Sequence, residues 1–171
     1  MNNKVVLIGP PGAGKTSIGK SLAKEMGLAF IDSDSEIEKK MNKKISEIFV
    51  ENGEDFFRQV EVEVVTDLLN RFDGVIALGG GAPINKSIRE LLGAATYPVI
   101  FIDVSIAQAA NRIGFNKDRP LLLINPRQQW LSLMSVRRPI YEELASTVVS
   151  SDNHKPSEVA KKITQMIKSL I

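Results

Sequence analysis

The stretch Lys4-Val5-Val6-Leu7-Ile8-Gly9-Pro10-Pro11-Gly12-Ala13-Gly14-Lys15-Thr16 decides the fold. Its first half is a short β-branched apolar run, the pattern of a buried strand. Its second half is G-x-x-x-x-G-K-T, the phosphate-binding P-loop. The next residues, Thr16-Ser17-Ile18-Gly19-Lys20-Ser21-Leu22-Ala23-Lys24, read as a helix, so the motif sits between the two elements it requires. Glycines let the backbone turn and aim its N–H groups inward, and the helix N-terminus adds partial positive charge at the same spot. Gly12, Ala13, Gly14, Lys15, Thr16 and Ser17 are therefore the candidate nucleotide-binding residues. Lys15 is expected to reach the β- and γ-phosphates of ATP, and the Thr16 hydroxyl to ligate Mg²⁺.

Working outward, apolar runs alternate with helical periodicity. Ala29–Ile31, Val75–Leu78 and Val99–Ile102 read as further strands, and Val148-Val149 as a candidate fifth. Helical sequence covers about Lys15–Met26, Asn85–Leu92, Ile106–Ile113, Arg127–Leu144 and the stretch after Pro156. Ser35–Phe72 is polar and helix-favouring, with breaks near Asn42-Lys43-Lys44 and at Asn52-Gly53; Gly114–Pro126 reads as irregular, with Pro120 and Pro126 as breakers. Strands alternating with helices predict a three-layer α/β/α domain with a five-stranded parallel sheet. Ligands of such sheets bind at the carboxyl ends of the strands. The polar segments there are the P-loop, Asp32-Ser33-Asp34 and Gly79-Gly80-Gly81.

Bulk properties narrow the function. The chain has 171 residues, enough for one domain, with a net charge of +2 and no cysteine. That charge provides no basic field for nucleic acid, and the lack of cysteine excludes disulfides and thiolate metal sites. No apolar run is long enough to span a bilayer, and the start of the chain reads as strand rather than signal peptide. A cytoplasmic protein, independent of nucleic acid and membrane, is expected.

Asp32 and Asp34 follow the second strand. An extended chain there would point both carboxylates the same way, one toward the Mg²⁺ shell and one toward an acceptor. Alternatively, Asp34 or Ser35 caps the next helix. Gly79–Gly81 leaves the third strand with no side chains in a ligand's path, and its N–H groups suit an anion or hydroxyls. Glu61 lies one helical turn beyond Arg58 and would fix its fork, unless the two form only a surface ion pair. Arg119, Arg137 and Arg138 each stand at or next to an Arg-Pro step; several arginines near a P-loop would bind phosphate or carboxylate. His154 reads as a surface residue, and Trp130 as packing.

Together these residues resemble the shikimate kinase family, small P-loop kinases of the nucleoside monophosphate kinase structural type. The resemblance runs from Lys4 to about Ile167. It rests on Asp32-x-Asp34, Phe57-Arg58, Leu78-Gly79-Gly80-Gly81, Arg119-Pro120-Leu121-Leu122 and Arg137-x-Pro139-x-Tyr141-x-Glu143-x-Ala145, in matching order and spacing. It implies phosphorylation of the 3-hydroxyl of shikimate by MgATP, on the route to chorismate and the aromatic amino acids. It makes Asp34, Arg58, Gly80, Gly81 and Arg137 shikimate-binding positions, with Gly79 beside them. Thr16 and Asp32 become magnesium positions, and Lys15, Asp34 and Arg119 the catalytic ones, Arg119 being the lid arginine over ATP. Arg112 and Pro156 become adenine contacts. Residues 33–61 correspond to a substrate-binding subdomain and 114–125 to a lid, within one domain spanning 1–171 and expected to be monomeric. A P-loop kinase acting on gluconate or a nucleotide remains an alternative, as does a nucleotide-dependent regulatory protein without turnover.

Overall fold

A computed structural model of the chain describes residues 3–113 and 125–170. The elements run β1 (Val5–Ile8), α1 (Lys15–Met26), β2 (Phe30–Asp32), α2 (Ser33–Met41), α3 (Ile45–Arg71), β3 (Val75–Ala77), a short 3₁₀ turn at Ala82–Ile84, α4 (Lys86–Gly93), β4 (Val99–Asp103), α5 (Ile106–Ile113), α6 (Pro126–Leu144), β5 (Thr147–Ser150) and α7 (Pro156–Ser169). The sheet order is β2-β3-β1-β4-β5, and every pair is parallel. Leu7 of β1 stands beside Ala77 on one side and Ile100 on the other. A central parallel strand is covered on both faces, which is why Val5–Ile8 is apolar throughout and fully buried.

The strand order decides where a ligand can sit. From β1 the chain moves to the β2 edge, and every later crossover runs the other way. Right-handed crossovers therefore put α1 on one face and α3, α4 and α6 on the other. The packing agrees: α1 lies against α7, whereas α4 lies against α3 and α6. Connections leave the adjacent strands β1 and β3 to opposite faces, which opens a crevice beyond their carboxyl ends. The P-loop follows β1, and Gly79–Gly81 follows β3.

Three expectations need correction. The chain is not extended from Asp32 to Asp34, because α2 begins at Ser33. Neither Asp34 nor Ser35 is the cap. Asp32 is, its Oδ1 accepting from the Ser35 N–H at 3.1 Å. Pro126 does not end an irregular stretch but opens α6 at its first turn, where the missing N–H of proline costs no helical bond. The breaks within 35–72 are real: Asn42 ends α2 at φ 51°, and α3 bends at Gly53, where φ is 84°. The expected lid lies, apart from Asn125, outside the described residues, as does Arg119.

Candidate active site

The nucleotide side is built from the P-loop outward. Gly12 and Gly14 adopt φ of +82° and +88°, left-handed angles that let the loop curl and hand over to α1 at Lys15. Lys15 Nζ donates to the carbonyls of Gly9 at 2.7 Å and Pro10 at 3.0 Å. Thr16 Oγ1 donates to Asp32 Oδ2 at 2.7 Å, joining the start of α1 to the end of β2. Trp130, buried on α6 as expected of a packing residue, also donates from Nε1 to the Pro11 carbonyl at 3.0 Å. That contact was not legible in the sequence, since nothing in the Trp130 segment points toward residue 11. Arg112 ends α5 with Nη1 near the carbonyls of Gly12 (3.2 Å) and Ala13 (3.1 Å). A cleft of about 530 Å³ lies among Gly14, Lys15, Thr16, Asp32, Asp34 and Arg112. Ser17 also lines it; Pro156, exposed at the start of α7, does not.

The other side of the crevice, where the sequence places the candidate acceptor site, is built on Gly79–Gly81. A Cβ on Gly79 would stand 2.6 Å from Asp34 Oδ1, one on Gly80 would stand 3.3 Å from Arg137 Nη1, and one on Gly81 would stand 2.5 Å from Arg58 Nη1. The three glycines thus bring α2, α3 and α6 side chains against one stretch of backbone. The Gly79 N–H is already committed to the buried Ser33 hydroxyl at 3.0 Å, which leaves Gly80 and Gly81 as the candidates for the donor role expected of the triple glycine. Tyr141, fully buried, donates its hydroxyl to the Gly80 carbonyl at 2.5 Å and fixes the turn from the α6 side. A second cleft, of about 720 Å³, opens among Arg58, Gly81, Ile84, Gln129, Leu133 and Arg137.

Arg58 is not merely a surface residue. Its Nη1 donates to Glu61 Oε1 at 2.7 Å, and the Glu61 side chain is only 2% exposed. Burial pushes the Glu61 carboxyl above its ordinary value, against the lowering effect of Arg58 and Arg137 and with a smaller push from Asp34. A buried carboxylate of this kind is tolerated because arginines face it. Arg138, by contrast, forks onto Asp103 at 2.8 and 3.1 Å and belongs to the scaffold. His154 is exposed, in accord with the surface reading.

A P-loop at the end of the central strand, a hydroxyl–carboxylate pair beside its lysine, and an arginine-lined pocket across the crevice define a small-molecule kinase of the P-loop class. A sequence model of the shikimate kinase family matches residues 11–168. The shikimate kinase of Thermobifida fusca is 47% identical over 94% of this chain and 92% of its own length. That of Rhodococcus erythropolis is 41% identical over 98% of both chains. The solved shikimate kinase of Acinetobacter baumannii in complex with shikimate superposes with a TM-score of 0.94 at 37% identity, over 98% of this chain and 94% of that one. The chain belongs to the shikimate kinase family. The fold is shared more widely, as a TM-score of 0.66 to the deoxyadenosine kinase of M. mycoides indicates at 17% identity.

Proposed function

We propose that the chain transfers the γ-phosphoryl group of ATP to the 3-hydroxyl of shikimate, giving shikimate 3-phosphate and ADP, within the pathway to chorismate. The observation that carries this reading is the meeting of Asp34, Arg58 and Arg137 over Gly79–Gly81, next to the P-loop cleft. Shikimate presents one carboxylate and three hydroxyls. Planar arginine forks match the carboxylate, and Arg58 is held ready for it by Glu61. Asp34 suits the reacting hydroxyl. It orients the oxygen toward the γ-phosphorus and accepts the proton as the new O–P bond forms and the bond to the β–γ bridging oxygen breaks. Lys15 offsets charge on the transferring group. Arg119, outside the described residues, is assigned that same task by resemblance, and residues 114–125 the task of excluding water. Residues 33–61 form the substrate-binding part of a single domain.

Thr16 and Asp32 fit Mg²⁺ by donor chemistry: a hydroxyl and a carboxylate oxygen 2.7 Å apart suit a hard cation that keeps several waters and shares phosphate oxygens. When bound, the ion neutralises charge on the β- and γ-phosphates. Gly12–Ser17 cradle the phosphates, and Arg112 with Pro156 flank the base. The reading includes a monomer working in the cytoplasm. Among the described residues no helix is long and apolar enough to cross a membrane.

The test is ADP release from MgATP with and without shikimate, with gluconate and a nucleoside monophosphate as competing acceptors. Shikimate-dependent release with a matching phosphorylated product is expected. Release driven by another acceptor, or none at all, overturns the reading.

A further inference from the structure

We infer that Ser151 is a positioning residue of the nucleotide site, acting through Arg112. Ser151 follows β5, is only 1% exposed, and presents two oxygens to one guanidinium. Arg112 Nη1 donates to Ser151 Oγ at 2.7 Å and Nη2 to the Ser151 carbonyl at 2.7 Å. The same Nη1 reaches the P-loop carbonyls of Gly12 and Ala13, so the guanidinium is held between β5 and the loop. An arginine at the end of a helix has four rotatable bonds, and a single acceptor would leave its plane free to swing. Two acceptors on one residue, matched to the two terminal nitrogens, set both its place and its tilt.

The bracket is itself fixed. The Ser151 N–H donates to the Asp103 carbonyl at 2.9 Å, and Ser151 Oγ lies 3.3 Å from the same oxygen. Asp103 pairs with Ser150 in the β4–β5 register, and Arg138 of α6 forks its carboxylate. Ser151 is therefore anchored to the sheet rather than to the loop after it. Arg112 lines the P-loop cleft together with the Thr16–Asp32 pair. Fixing its plane in advance spares the nucleotide the cost of ordering it. The whole effect of Ser151 passes through the Arg112 fork.

The inference rests on reading Gly9–Thr16 as the nucleotide site, and the experiment separates the two. Trp130, the single tryptophan, hydrogen-bonds the loop at Pro11, so its emission reports on ligands there. The unaltered chain, Ser151→Ala and Ser151→Thr are titrated with MgADP and, separately, with shikimate, and their melting temperatures are taken. Ser151→Ala loses one bond to the fork, but the Ser151, Gly12 and Ala13 carbonyls still hold it, so only part of that bond's worth reaches the ligand and the Kd for ADP is expected to rise roughly five- to tenfold. The threonine variant, which keeps the hydroxyl, is expected to recover most of that loss, and the Kd for shikimate to stay within about twofold. An unchanged ADP affinity in Ser151→Ala overturns the inference, even if its melting temperature falls. So does an equal loss for both ligands, which marks a merely structural role. Failure of the unaltered chain to bind ADP overturns the nucleotide reading and this inference together.

Discussion

Gly81→Ala isolates the acceptor site with a single methyl group. Gly81 has φ −89° and ψ −10°, angles any L-residue adopts, so the backbone bears no strain on substitution. The added Cβ would stand 2.5 and 2.6 Å from the two terminal nitrogens of Arg58. An ordinary contact needs roughly 3.5 Å, so the fork must retreat by about 1 Å. The guanidinium is the far end of a flexible side chain, and it yields more easily than backbone would. Retreat carries it off its 2.7 Å bond to Glu61 and away from a carboxylate held opposite. A charge-assisted hydrogen bond contributes about 1.5–3 kcal/mol, so the KM for shikimate is expected to rise roughly 10- to 150-fold. The KM for ATP should hold within about twofold, since the P-loop cleft does not include Gly81. Steady-state kinetics with each substrate varied, and a melting curve to confirm folding, make the assay. Gly80→Ala is the graded control: its Cβ would stand 3.2 Å or more from every neighbour, and a smaller KM effect follows. A Gly81→Ala enzyme with an unchanged KM for shikimate would refute the placement of Arg58 on the acceptor.

The remaining expectations concern the same pocket. Asp34→Asn keeps the shape but removes the proton acceptor, so kcat should fall by roughly 10²- to 10⁴-fold while ADP still binds; near-normal turnover removes Asp34 from the chemistry. Arg58→Lys replaces a planar fork with a point charge and should raise the KM for shikimate on the order of tenfold, with an unchanged KM counting against bidentate recognition. Glu61→Gln tests linkage. Burial lifts the Glu61 carboxyl above 4.5, so the folded chain holds that proton longer than the unfolded one does. The contribution to stability is then full below the unfolded value and falls as pH rises through the folded one. Urea melts should show the unaltered chain faring better against Glu61→Gln near pH 4 than near pH 7, and the reverse order would contradict the raised pKa.

How much of this was legible depends on how far along the chain each physical cause reaches. The P-loop and its flanking elements were readable because strand, turn and helix are contiguous and the glycines declare their own angles. The inner strands β1, β3 and β4 were readable for a related reason: a parallel sheet buries both their faces, so they are short apolar runs, whereas the edge strands β2 and β5 are only partly buried and showed as shorter apolar pieces. Asp32 and Asp34 were identified as site residues but given the wrong geometry. Period-2 reasoning assumes that the strand continues, whereas the Asp32 carboxylate captures the Ser35 N–H and turns the chain into α2. The two carboxylates still serve one crevice, Asp32 against Thr16 and Asp34 against Gly79, but they arrive from the end of a strand and the first turn of a helix.

The arginines mark where local pattern stops being informative. Arg137 and Arg138 look alike in sequence, yet neighbours on a helix point about 100° apart, so at most one can face the crevice. Which one does is set by Asp103 at the end of β4, which takes the fork of Arg138 and leaves Arg137 on the side of Gly80. The choice was made by a carboxylate on another element, and no window around 137 contains it. Trp130 and Tyr141 follow the same logic. Trp130 read as packing and Tyr141 only as a member of the Arg137–Ala145 motif; both are buried, and each spends its one polar hydrogen on a backbone carbonyl beside the crevice, Pro11 and Gly80 respectively. A buried indole or phenol needs such a partner, so its presence was predictable. Its address was not, because it depends on α6 crossing the ends of β1 and β3. One helix thereby meets the P-loop through Trp130, the glycine turn through Tyr141 and the second cleft through Arg137. Replacing either aromatic hydrogen-bond donor should accordingly disturb a different substrate: Trp130→Phe the nucleotide, Tyr141→Phe the acceptor.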